Sequence, residues 1–154
     1  MSEDDPRFVE EYEINPITRL TLQECWELLR THEFGRLAYH LAGEVHIVPI
    51  NYATDGERIY FRTAEGSKLL GIVMNADVAF EIDQVADDVG SSVVVRGSAT
   101  LLESDEEREV ESLPLRPWVP TLKYNVVAIT PNDGEVTGRA FDLSRPWTRL
   151  GTAD

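Results

Sequence analysis

The chain has 154 residues, 42% of them hydrophobic and 27% charged, which fits one domain large enough to bury a core without disulfides. Twenty-eight acids against fourteen bases give a net charge of −14, which disfavours nucleic-acid backbones and anionic membrane surfaces as partners. The single Cys25 excludes a disulfide framework and a cysteine-cluster metal site, and the longest apolar run, Leu69 to Met74, falls far short of the roughly 20 residues a membrane helix needs.

The first residues, Met-Ser-Glu-Asp-Asp-Pro, carry no basic or apolar leader, so a cytoplasmic protein is expected. Residues 1–13 hold six acids against Arg7, and the segment 1–17 reads as an acidic, flexible arm. One domain is expected over 18–145, followed by a tail over 146–154.

Thr21 and Glu24 form a capping box that opens a helix over 21–31. Leu22, Cys25, Trp26 and Leu29 share one apolar face, so Cys25 is expected to be a buried small hydrophobe. After Gly35 the pattern alternates. Leu37, Tyr39 and Leu41 share a face, and Ala42-Gly43-Glu44 turns the chain. Val45 to Tyr52 is a strand whose centre, Ile47-Val48-Pro49-Ile50, is apolar on both faces, which predicts cover on both sides, as in a closed barrel or at a subunit interface. Pro49 predicts an edge, a bulge or an interrupted ladder there. Asp55-Gly56 marks a hairpin to a strand over 58–63, with Ile59, Phe61 and Thr63 on one face and Tyr60 and Arg62 on the other.

Gly66-Ser67-Lys68 opens a helix to about Asn75. Asp77 to Asp83 is a strand with Val78, Phe80 and Ile82 on one face, Gln84 to Ser91 reads as a polar loop, and Ser92 to Leu102 alternates along its whole length. A short solvated helix starts with Ser104 as its N-cap, in a second acidic stretch over 103–111. Three prolines and Trp118 make 113–122 an irregular crossing. Tyr124–Thr130 and Val136–Phe141 are the last strands, joined by a turn through Asn132-Asp133-Gly134. Short strands with turn signals between them predict a small, mainly β barrel with a few short helices.

His32, His40 and His46 have no acid or cysteine at ligand spacing, so no metal site is expected, and no G-x-S-x-G supports a hydrolase nucleophile. The chemically pointed segment is Arg62-Thr63-Ala64-Glu65-Gly66-Ser67-Lys68. A strand ending in Arg-Thr, a turn and a helix opened by Ser-Lys gather amides, a hydroxyl and two cations around one point, as a phosphate site requires. A plain strand–turn–helix with surface cations has the same pattern.

Taken in order, Arg36-Leu37-Ala38, Val48-Pro49-Ile50-Asn51-Tyr52, Ile59 to Thr63 leading to Gly66-Ser67-Lys68, Asp77 to Asp83 and Ser92 to Ala99 resemble the pyridoxamine 5'-phosphate oxidase-related flavin-binding split barrels. The likeness covers about residues 20–103, and Val136-Thr137-Gly138-Arg139 resembles a recurring family close. It implies a six-stranded antiparallel split β-barrel of Greek-key type, forming a homodimer with two cofactor sites at the interface. It implies FMN, or in some relatives a deazaflavin or haem. Carried onto matching positions, Val48, Pro49, Ile50 and Asn51 would line the isoalloxazine. Phe61, Arg62 and Thr63 would flank the ribityl chain, Ser67 and Lys68 would bind the phosphate, and Trp118 would reach the partner's flavin. Arg36, Arg96 and Arg139 are candidate neighbours of the anion.

The strand Val45 to Tyr52 has no Arg or Lys, and one cation follows Ser67 where true pyridoxamine 5'-phosphate oxidases usually have two. Pyridoxal phosphate synthesis is therefore not expected. The resemblance implies a flavin-dependent oxidoreductase acting on a small molecule, with no catalytic acid or base assigned. The alternative is a non-catalytic module that binds or senses a flavin, a deazaflavin or haem.

Overall fold

A computed structural model of the chain describes residues 17–64, 77–114 and 124–144. Among these residues eight strands and two helices follow in order: β1 (Ile17–Arg19), α1 (Leu22–Thr31), β2 (Phe34–Leu41), β3 (Glu44–Asn51), β4 (Ala53–Thr54), β5 (Ile59–Ala64), β6 (Asp77–Ala86), β7 (Val89–Leu101), α2 (Ser104–Glu109) and β8 (Tyr124–Asp142). All pairings are antiparallel, and the path across the sheet is β3-β2-β6-β7-β8-β5-β4, with β1 also on β8.

Alternation makes this sheet curl. Leu37, Tyr39, Ile50, Ile59, Phe61, Val78, Phe80, Ile82, Val93, Val95, Val127 and Ile129 come from six strands yet form one cluster. Period-two geometry puts these side chains on one face of the sheet. A single face can converge on one cluster only if the sheet wraps around it, as a split barrel does. α1 closes the core with Cys25 and Leu29, both fully buried. Its start is held by the capping box: Glu24 N–H donates to Thr21 Oγ1 at 3.1 Å and Thr21 N–H donates to Glu24 Oε1 at 2.9 Å. Tyr52 Oη donates to Leu29 O at 2.6 Å, tying the end of β3 to α1. Gly138 lets β8 pass close under this helix, because a Cβ there would sit 2.7 Å from Cys25 Sγ. A second, smaller core on the other face of β5 and β8 joins Tyr60, Leu102, Val110, Val126 and Ala128.

Several expectations shift. Leu22 does not join the buried face of α1, being 60% exposed at the helix start. The expected polar loop 84–91 is mostly strand. β6 runs to Ala86 and β7 starts at Val89, with Asp87 and Asp88 both at positive φ in a two-residue turn. The mirror-image twist of such a turn matches the twist of the two strands, so the hairpin extends to its tip. The turn expected through Asn132-Asp133-Gly134 does not reverse the chain. β8 pairs with β7 on both sides of it, with Val136 opposite Val95 and Pro131 opposite Gly97, so residues 132–135 bulge out across from Arg96. The N-cap of α2 is Glu103, one residue before the expected Ser104, and α2 buries no residue. Within the single chain the strand centre Ile47–Ile50 is covered on one side, which leaves the barrel alternative unmet and the subunit alternative open. Val48 packs on the core and Ile50 is in it, whereas Ile47 is 67% exposed. Pro49 lies on β3 at the end of the sheet path, as its missing donor requires.

Candidate functional site

Of the expected cofactor residues, Val48 to Asn51 lie on β3 and Phe61 to Thr63 on β5. β3 passes through Tyr52 into β4, and β4 pairs with β5 through Ala53 opposite Tyr60 and Thr54 opposite Ile59. β4 goes no further along β5, and β3, which leads into β4, also touches β5. The split in the barrel lies here.

The side chains divide by face. Ile50 is 3% exposed and Phe61 fully buried, so both belong to the core and offer a ligand only their backbone. Val48 and Asn51 are half-buried and Pro49 is exposed. Pro49 stands beside Arg36 on the outward face, in line with the exposed Ile47 and Val45. Arg62 is half-buried. Thr63 is 4% exposed, and its Oγ1 is buried with no hydrogen-bond partner. A buried hydroxyl left unbonded costs about 1–3 kcal/mol. Ser67, Lys68 and Trp118 lie outside the described residues.

The three arginines named as possible neighbours of the anion separate. Arg36 is committed: its guanidinium bonds Glu81 and reaches Asp83 Oδ1 at 2.9 Å. The Glu81 bond is the main reason its pKa lies above the ordinary value. Arg96 and Arg139 face a groove of about 530 Å3 together with Arg19, Ser92, Val94 and Thr137. Arg19 belongs to β1, at the border between the expected arm and the domain. That three-residue strand is too short for any alternation to be read, and its lone basic residue is its only local signal.

Two of the histidines make contacts within the framework. His32 Nδ1 lies 2.8 Å from Leu28 O at the end of α1. His46 stacks on Tyr39 with ring centroids 5.1 Å apart. Among the described residues no three His, Cys, Asp or Glu side chains converge as a metal site would need, and no helix is long and apolar enough to cross a membrane.

The fold agrees with what the chain resembles. The family model for pyridoxamine 5'-phosphate oxidase matches residues 21–140. An uncharacterized protein of Mycobacterium tuberculosis is 44% identical over 87 residues, covering 56% of this chain and 77% of the relative. A Corynebacterium glutamicum crystal structure superposes with a TM-score of 0.75 at 42% identity, covering 86% of this chain and 98% of its own. The FAD binding protein of Mycobacterium smegmatis gives a TM-score of 0.70 at 36% identity, covering 81% and 98%. The matched span includes β2 to β7, the split between β3 and β5, and most of β8. The chain belongs to the pyridoxamine 5'-phosphate oxidase family of flavin-binding split barrels.

Proposed function

We propose that this chain is a flavin-dependent oxidoreductase that binds FMN at the split between β3 and β5, in a homodimer. The observation that carries the reading is the buried Thr63 Oγ1 without a partner, next to the half-buried Arg62, where β5 leads toward Ser67 and Lys68. A flavin's polyhydroxy chain and phosphate suit those groups: hydroxyls for the orphaned Oγ1, and an anion for the cations. When bound, the flavin supplies hydride transfer at N5. The protein's own residues bind it, orient it and shield it from water.

Val48, Pro49 and Asn51 are the residues offered to the ring, largely through backbone, since Ile50 points into the core. The homodimer is supported by the outward stripe Val45, Ile47 and Pro49 on the edge strand β3. Val45 is 84% and Ile47 67% exposed, and an uncovered apolar edge strand is a liability in an isolated molecule. A second copy would cover it.

FAD is the second reading for the cofactor, because the 36% identical M. smegmatis relative is an FAD binding protein. Titration of the purified full-length protein with FMN and with FAD, followed by flavin fluorescence, separates the two. Tighter binding of FAD overturns the FMN assignment. Binding of neither, together with failure to reduce bound flavin with any nicotinamide donor, overturns the oxidoreductase reading.

A further inference from the structure

We propose that the groove on the outer face of β1, β8 and β7 is a second anion site, built for a small phosphate-bearing molecule and distinct from the flavin site at the β3–β5 split. Arg19 and Arg139 are direct cross-strand partners on β1 and β8. Like charges placed opposite each other repel, so this pair weakens the β1–β8 junction unless an anion joins it. Neither guanidinium has an ion-pair or hydrogen-bond partner among the described residues. That is unexpected in a chain with two acids for every base.

The nearby carboxylates do not relieve the pair. Glu81 and Asp83, on the adjoining strand β6, are both held by Arg36. Glu135, on the β8 bulge, lies 3.6 Å from Arg96. No Asp or Glu lines the groove itself. Ser92, opposite Arg139 on β7, and Thr137 add two hydroxyls to the same wall. A second hollow of about 590 Å3, lined by Ile17, Thr18, Arg19 and Arg139, opens on the same arginine pair. There is therefore room for more than one phosphate group. Guanidinium forks match phosphate oxygens two at a time, and hydroxyls complete the shell. Val94 and Val136 supply an apolar flank for the remainder of such a molecule.

The site does not depend on the flavin reading. The test is calorimetric titration of the full chain with inorganic pyrophosphate at physiological ionic strength, with and without saturating FMN. Saturable binding is expected in both. Arg19→Gln and Arg139→Gln should each weaken it about tenfold or more, the loss of one charge-assisted bond. Arg108→Gln, on the exposed helix α2, removes the same charge elsewhere and should leave binding unchanged. No saturable binding, or equal weakening by all three substitutions, overturns the proposal. So does loss of pyrophosphate binding on adding FMN, which would make the groove the flavin's own phosphate site. A change in sedimentation of the two groove variants without any change in pyrophosphate binding would make it a protein interface instead.

Discussion

Replacing Thr63 by valine separates a ligand-binding role from a structural one by opposite signs in two measurements. Valine keeps the branched shape and removes only Oγ1, which is buried and has no partner. In the flavin-free protein that hydroxyl has lost water and gained nothing, so its removal should recover about 1–2 kcal/mol. For a chain of this size Tm should then rise by roughly 2–4 °C per kcal/mol recovered. In the flavin complex the native hydroxyl gains its hydrogen bond, which valine cannot make. FMN affinity should fall about threefold to tenfold, the worth of one neutral hydrogen bond. Differential scanning calorimetry without flavin and fluorescence titration with FMN give both numbers on one preparation. A lower flavin-free Tm would show that Oγ1 is already bonded in the free protein. An unchanged FMN affinity would show that Thr63 does not face the cofactor. Either result refutes the reasoning.

Three further predictions rest on the framework that holds the site. Tyr52→Phe removes the 2.6 Å bond to Leu29 O and leaves a buried carbonyl unpaired, so chemical denaturation should show a loss of about 1–3 kcal/mol. Gly138→Ala forces a methyl to within 2.7 Å of Cys25 Sγ and 2.9 Å of Leu20 Cδ1, and overpacking of that kind costs about 1–3 kcal/mol, read as a lower Tm. Burial, and then the 2.7 Å bond to Asp55, push the Tyr60 phenol up to about 12. Its stabilising effect is whole below the unfolded value near 10 and is lost as pH rises from there through about 12. Tyr60→Phe should therefore flatten the alkaline limb of the stability–pH curve, and an unchanged limb would contradict this.

Much of the framework was legible because its signals are local. The capping box at Thr21 and Glu24, the turn at Asp55-Gly56 and the alternation of Val78, Phe80 and Ile82 each declare themselves within a few residues. What escaped depends on distant partners. Gln84 to Ser91 is polar enough to read as loop, yet it forms a hairpin because its two strands pair on to the tip. The Asn132-Asp133-Gly134 turn signal is real, with Gly134 at positive φ. Only the register with β7 shows that the chain continues beyond it and does not fold back.

The same division holds at the site. The Arg62-Thr63 strand end and the Val48 to Asn51 strand were readable as a pattern. Their meeting at the split follows from β4, a two-residue strand with no signature of its own. That Phe61 and Ile50 offer a ligand only backbone follows from which face curls inward. The pairing of Arg19 with Arg139 across 120 residues has no local trace at all.

The most direct test of the central claim is the absorbance spectrum of freshly purified full-length protein, followed by mass analysis of whatever is released on denaturation. A flavin spectrum with a released mass of FMN, or a rise in Tm on adding FMN to protein purified without it, is the expected result. A colourless protein whose Tm is unmoved by FMN, FAD, a deazaflavin or haem would contradict the account.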